Sequence, residues 1–325
     1  MKLIIIFSLL LSQILLALDY EKEIDPNASY EITVLATNIS NYGGFGEWSF
    51  SALYENDKES ILFDTGFHED TVLHNAKILN KDLSKVEKVI LSHFHSDHTG
   101  GLIKLRKTFK PFNENAFKYV YVTRGFFAQR YTASGDMVGP GNYSDASKFK
   151  QDAEKEGINF IILDSYKEVA TNLFATGTVL RTDELYNGPK GLLVKDNKTN
   201  NLVKDIIIDD QSAGMLTNSG WIMMSGCGHS GIINTAKKLQ SIYNVPIYGA
   251  IGGFHLFQAS DGVIDKTAMW LKNAGMQKFM GGHCTGIYAA ERVADIIGIS
   301  RNNLSHTAIG SILTKDLSII RSSVE

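Results

Sequence analysis

Six consecutive residues, His93-Phe94-His95-Ser96-Asp97-His98, constrain this sequence more tightly than any other feature. They follow VEKVILS, which reads as a buried strand, and they precede Thr99-Gly100-Gly101 and a stretch to Phe109 with apolar residues at helical spacing. The six residues therefore occupy a strand-to-helix junction. Side chains alternate in extended backbone, so His93 and His95 face one way while Phe94 turns toward the core. Those two imidazoles can share one cation. Asp97 and His98 come after the chain has turned into the helix, where they face a second cation close by.

The rest of the chain supplies the frame for such a junction. From Tyr30 the sequence reads as strands with turn punctuation: EITVLATNI, then FSALYE and SILFDTG, with Asn56-Asp57 as the hairpin turn between the last two. Helices are expected over residues 69–79 and 101–109, and a polar one over 144–156. Between about 110 and 190 the pattern is less regular, with an aromatic and glycine-rich loop, and this segment is expected to line a pocket. Strands return as GLLVKDN, LVKDIIIDDQS and AGMLTNSGWIMMSG, followed by a helix from Gly231 to Tyr243. VPIYGAIGGFHL, a helix over 265–273, KFMGG and a helix over 289–297 complete the pattern. Two blocks of strands, each followed by strand and helix alternation, point to an α+β fold: two mixed sheets packed face to face with helices outside, an αββα sandwich.

The motif SHFHSDHTGG, with ILFDTG some thirty residues earlier, resembles the metallo-β-lactamase superfamily. Further along, Thr176-Gly177-Thr178, Asp209-Asp210-Gln211-Ser212, Gly226-Cys227-Gly228-His229-Ser230-Gly231, Gly252-Gly253-Phe254-His255-Leu256 and Gly282-His283-Cys284-Thr285-Gly286 resemble one branch of it. That branch is typified by dihydropterin-ribofuranosylaminobenzene phosphate synthase and is often labelled metal-dependent hydrolase. The resemblance implies that Asp64 orients the metal loop from behind. It makes His283 a metal ligand. Most relatives carry a bridging aspartate where this chain has WIMMSG and then His229, so either His229 or the thiolate of Cys227 takes over that place. His229 is the expected ligand, with capping of the next helix as its other reading. Asp210 falls near the third-motif histidine of relatives: it touches metal or substrate, or it forms a turn before Ser212.

Other residues are readable without the resemblance. His255 follows two glycines, which fits a backbone that approaches something closely, and places the histidine either in the pocket or in the core. Arg124, Arg130 and Arg181 lie in or beside the irregular segment, where a guanidinium can fork onto a phosphate or carboxylate or simply face solvent. Arg181 is carried as a substrate-proximal residue. Tyr119, Tyr121, Phe126, Phe127 and Tyr131 fit stacking on a flat ring and core packing equally well.

With 44% hydrophobic and 21% charged residues, the 325-residue chain has the means to bury a full core. A formal net charge of −3 and the absence of a Lys/Arg-rich block exclude nucleic acid as an expected partner. Two cysteines make no disulfide framework. Residues 1–18, a lysine and then an apolar run ended by Asp19, Glu21, Lys22 and Glu23, match a signal peptide cleaved near Ala17, or else an uncleaved N-terminal anchor. What remains, 19–325, is expected to be one exported domain, periplasmic or extracellular, with no stable membrane span. Its expected cofactor is one or two divalent cations, zinc first, with iron or manganese compatible with the same histidines. The expected reaction is attack by metal-bound hydroxide on an ester or phosphoester of a small molecule. Two alternatives stand beside it: a pterin-synthase-like transferase with a pyrophosphate leaving group, and a non-catalytic metal- or ligand-binding protein.

Overall fold

The computed structural model of the protein describes residues 30–184, 188–196 and 199–325. The expected signal peptide lies outside the described residues. In chain order the first strands are β1 (Tyr30–Ala36), β2 (Ser51–Asn56), β3 (Ser60–Phe63), β4 (Val86–Ile90), β5 (Tyr119–Thr123), β6 (Arg130–Tyr131), β7 (Met137–Val138) and β8 (Asn159–Leu163). Then come β9 (Lys167–Ala170), β10 (Leu173–Ala175), β11 (Leu193–Lys195), β12 (Leu202–Lys204), β13 (Ser212–Thr217), β14 (Gly220–Ser225), β15 (Ile247–Gly252) and β16 (Lys278–Gly281). The last three are β17 (Leu304–Ser305), β18 (Ile312–Leu313) and β19 (Ile319–Ile320). Helices are α1 (Thr71–Ile78), α2 (Ser96–Thr99), α3 (Leu102–Phe109), α4 (Ala146–Lys155), α5 (Ile232–Ile242), α6 (Asp261–Asn273) and α7 (Ile287–Ile297).

Two large mixed sheets form the body, in the strand orders β19-β18-β1-β2-β3-β4-β5-β8 and β17-β16-β15-β14-β13-β10-β9. Their central strands are mostly buried, and the alternation sorts side chains to two destinations. Ala52 and Tyr54 of β2, Ile61 and Phe63 of β3, and Ile222 and Met224 of β14 meet in one core between the sheets. Leu53 and Leu62, from the other face, pack with Val72, Leu102, Leu105, Phe149 and Ala153 of α1, α3 and α4. Trp221 and Met223 pack with Ile233, Leu239, Ala268, Leu271 and Val293 of α5, α6 and α7. Three apolar layers in this order make the αββα sandwich. A one-residue slip of any central strand would exchange the layers, so the register is strongly specified.

The structure departs from the sequence expectations in three places. The irregular segment contributes β6 and β7 to a third, four-stranded sheet of order β12-β11-β6-β7. The expected strand through IIIDDQS ends at Lys204. Beyond it the Asp205 carboxylate accepts from the Ile207 N–H, and Ile207 takes φ +54°, so a side-chain turn competes successfully with the ladder. Helix α6 starts at Asp261, four residues before the expected 265, because Ser260 is extended at its N-cap and Asp261 complements the helix N-terminus. Among the described residues no helix is long and apolar enough to cross a membrane.

Candidate metal centre

Strands β3, β4 and β5 run parallel, as do β14, β15 and β16, and the loops that leave them hold the histidines and cysteines. The carboxyl ends of parallel strands are where such sheets offer a crevice. Here two donor sets converge. His93, His95 and His229 place one ligand atom each within 4.8 Å of one another. His95 Nδ1 lies 2.8 Å and His229 Nε2 3.2 Å from His93 Nε2. Asp97, His98, Cys227 and His283 form the second set, again within 4.8 Å. Its edges are 3.2 Å from His98 Nε2 to Cys227 Sγ, 3.3 Å from Cys227 Sγ to His283 Nε2, and 3.5 and 3.4 Å from Asp97 Oδ2 to His98 and His283.

The edges of the second set, 3.2 to 3.5 Å, match a cation's requirements. Zinc bonds of about 2.0–2.3 Å in a tetrahedron separate neighbouring ligand atoms by about 3.3–3.7 Å. The second set has four donors at such spacing, of mixed oxygen, nitrogen and sulfur type. The first has three imidazoles and leaves a position open. Cys227 sits in the second set and His229 in the first.

Asp64 ties the two sets together. Its Oδ1 accepts from the Ser92 N–H at 2.7 Å, and its Oδ2 accepts from Ser92 Oγ at 2.8 Å and meets His98 Nδ1 at 2.7 Å. Ser92 Oγ in turn lies 2.9 Å from His93 Nδ1. With Nδ1–H donated in both rings, Nε2 is the nitrogen that His93 and His98 each offer to a cation. Asp64 takes φ +55° to do this, and His283 (φ +47°) and His255 (φ +50°) are also left-handed, a concentration of backbone strain at one site. Gly226 completes the fit: a Cβ there would lie 2.3 Å from Ser92 Oγ and 2.4 Å from Asp64 Oδ2.

The two sets differ in charge. Burial, and then the crowding of neighbouring imidazoles, holds His93 and His229 well below the usual histidine range; burial takes His95 down to about 4. In the second set burial opposes charge as well, but Asp97 and Asp64 outweigh it and hold His98 well above the usual range. Asp97 is likewise penalised by burial, yet His98 and His283 hold it well below the carboxylate range. Burial pushes the Cys227 thiol up.

A cavity of about 370 Å³ opens onto both sets, lined by His95, Asp97, Cys227, His229, His255 and Cys284 together with Ser96, Pro189, Trp48, Phe67 and Phe257. His255 is thus in the pocket, its ring 4.6 Å from that of His229. Asp210 and Arg181 are not. Asp210 is buried and accepts from the Ser230 N–H at 2.8 Å, and burial raises its carboxyl to about 6. Arg181 donates to the carbonyls of Ile206 and Ile207, which satisfies backbone that the broken strand leaves unpaired.

Of the described residues in 110–190 only Pro189 lines the cavity, while Phe117, Phe126 and Phe149 pack in the core. Arg124 is exposed and pairs with Asp164. Arg130 is fully buried, bonded to Asp205 and Asp209, with its guanidinium carbon 3.7 Å over the Phe94 ring. Asp209 Oδ2 accepts from the Phe94 N–H, and Gln211 donates to the carbonyls of Ser92 and Leu91. The Asp-Asp-Gln-Ser run braces the metal loop from beneath instead of reaching into the pocket. Sequence reasoning missed Trp48, Phe67 and Phe257; an exposed tryptophan in the glycine-flanked GEWSF was the available signal.

The sequence pattern of the Metallo-beta-lactamase superfamily matches residues 49–111, which include Asp64 and the histidine motif. The 7,8-dihydropterin-6-methyl-4-(beta-D-ribofuranosyl)-aminobenzene-5'-phosphate synthase of Methanocaldococcus jannaschii is 32% identical over 270 residues, 78% of this chain and 87% of that protein. The chain belongs to the metallo-beta-lactamase superfamily. An uncharacterized protein from the same organism is 29% identical over 87% of this chain and 99% of its own length. Among solved structures, Tm1679, described as a metal-dependent hydrolase of the beta-lactamase superfamily, superposes with a TM-score of 0.70 at 25% identity, covering 87% of this chain and 98% of that one.

Proposed function

We propose that the protein is a metal-dependent hydrolase that cleaves an ester or phosphoester bond of a small molecule in the cavity above the two donor sets. The observation that carries this reading is that one cavity opens onto both sets, three imidazoles on one side and Asp97, His98, Cys227 and His283 on the other. Zinc suits these donors, and bound cations supply Lewis acidity and bring the pKa of a water molecule toward about 7. The chain's own residues do the rest. Asp64 fixes the tautomers of His93 and His98, Arg130 and Asp209 hold the loop that carries them, and Trp48, Phe67 and Phe257 line the cavity and shield it from bulk solvent. We further propose that residues 1–18 export the enzyme.

A panel of carboxylic, phosphoric and lactone esters, assayed with zinc-loaded protein, tests the reading. Hydrolysis that His95→Ala abolishes supports it; no turnover of any ester class by fully loaded protein contradicts it. A second reading, transfer with pyrophosphate departure, is favoured by the 32% identity to the synthase. Release of pyrophosphate from a pterin pyrophosphate in place of ester cleavage would select it.

A further inference from the structure

The chain's two cysteines are both buried and free. They come from strands that are not neighbours: Cys227 follows β14 and Cys284 follows β16, with β15 between them. Second-neighbour strands lie about 9–10 Å apart, so the two loops must lean together over the end of β15 for the sulfurs to meet. Gly253, the first residue after β15, permits this. A Cβ there would stand 2.8 Å from Cys284 Sγ and 2.1 Å from the Gly226 carbonyl oxygen. As a result the two sulfurs lie within 4.8 Å of each other, with Cys284 Sγ 3.5 Å from the Cys227 carbonyl oxygen. Both residues line the open cavity, so a small solute can reach them.

We propose that Cys227 and Cys284 form a dithiol that a peroxide converts into a disulfide, a reversible modification that withdraws Cys227 from the second donor set. Cys284 reacts first, and Cys227, held between His98 and His283, then resolves it. Its sulfur attacks one peroxide oxygen; the S–O bond forms as the O–O bond breaks, and the other oxygen leaves as water with the thiol proton. The sulfur of Cys227 then attacks the sulfenic sulfur of Cys284. The S–S bond forms, the S–O bond breaks, and the departing hydroxide takes the Cys227 proton. Two thiols and one hydrogen peroxide thus become one disulfide and two waters. A disulfide of about 2.05 Å requires the sulfurs to close by less than about 3 Å, which rotation about the Cα–Cβ bonds can supply. A thiol reductant reverses the step. The loss of a cation site rests on the donor-set reading above, whereas the disulfide itself does not.

The test treats zinc-free full-length protein with hydrogen peroxide and follows intact mass, free thiols and peptide maps. The expected product has lost two hydrogens and both thiols, gained no oxygen, and yields a Cys227–Cys284 cross-linked peptide; Cys284→Ser gives none of it. Oxidised protein should bind one zinc fewer than reduced protein and recover it after a thiol reductant. Zinc added first should slow oxidation about tenfold or more. Oxygen addition without a cross-linked peptide overturns the dithiol. A cross-link that forms while zinc stoichiometry and oxidation rate stay unchanged overturns the withdrawal of Cys227, and with it the second donor set, while the dithiol holds.

Discussion

The two donor sets lie in one wall of one cavity and were built by opposite means. His93, His95 and His229 are neutral because burial and mutual crowding make charge costly, so they stand ready for a cation without losing protons. Asp97, His98, Cys227 and His283 hold an internal ion pair and a protonated thiol, so a cation arriving there must displace protons. One set is prepared by desolvation and the other by compensation. The difference predicts distinct responses to mutation and to pH.

Removing a ligand tests the division most severely. His95→Ala should abolish binding at the three-imidazole set and lower turnover by about a thousandfold or more, read by elemental analysis beside kinetics. Cys227→Ser should lose one cation from the other set and leave the first occupied; loss of both cations would erase the distinction. Asp64→Asn acts on both sets through His98 and Ser92 and should weaken zinc binding at each by about 10–100-fold, measured by competition with a chromophoric chelator. If only one set weakens, the shared support is wrong.

Proton linkage sharpens the same contrast. Titration calorimetry in buffers of different ionisation enthalpy should find about two to three protons released at pH 7 on filling the mixed set, from Cys227, His98 and His283, and almost none on filling the imidazole set. Between pH 8 and 6 affinity at the mixed set should therefore fall about a hundredfold or more per unit, with little change at the other. The smallest effect concerns Asp210. Its folded value of about 6 lies above the unfolded one, so protonation stabilises the fold below about pH 4 and that contribution fades as pH rises through 6. Metal-free Asp210→Asn should lose that part of the pH dependence, on the order of 2–3 kcal/mol, in denaturant melts at pH 4 and 8.

How much of this was legible in the sequence follows from how local each feature is. The strand-to-helix histidine motif was legible because its geometry depends on alternation within six residues. Both sheets and the outer helices were legible because the apolar runs are long. Assigning Cys227 to the mixed set needs the loops after β4, β14 and β16 to meet, which no spacing within one segment displays. Arg130 was expected at the pocket or in solvent because charged residues in an irregular stretch usually stay accessible, yet it is buried and neutralises Asp209 under Phe94. Of the small third sheet, β11 and β12 were legible in GLLVKDN and LVKDIIIDDQS, whereas β6 and β7 escaped because two-residue strands carry too little periodicity to read.

The central claim is that seven side chains make two cation sites of unequal character. Zinc titration of metal-free protein by calorimetry, with bound metal counted by elemental analysis, tests it directly. The account predicts two equivalents per chain, filled in separable steps with different proton release. A single equivalent, or no tight binding, would contradict it.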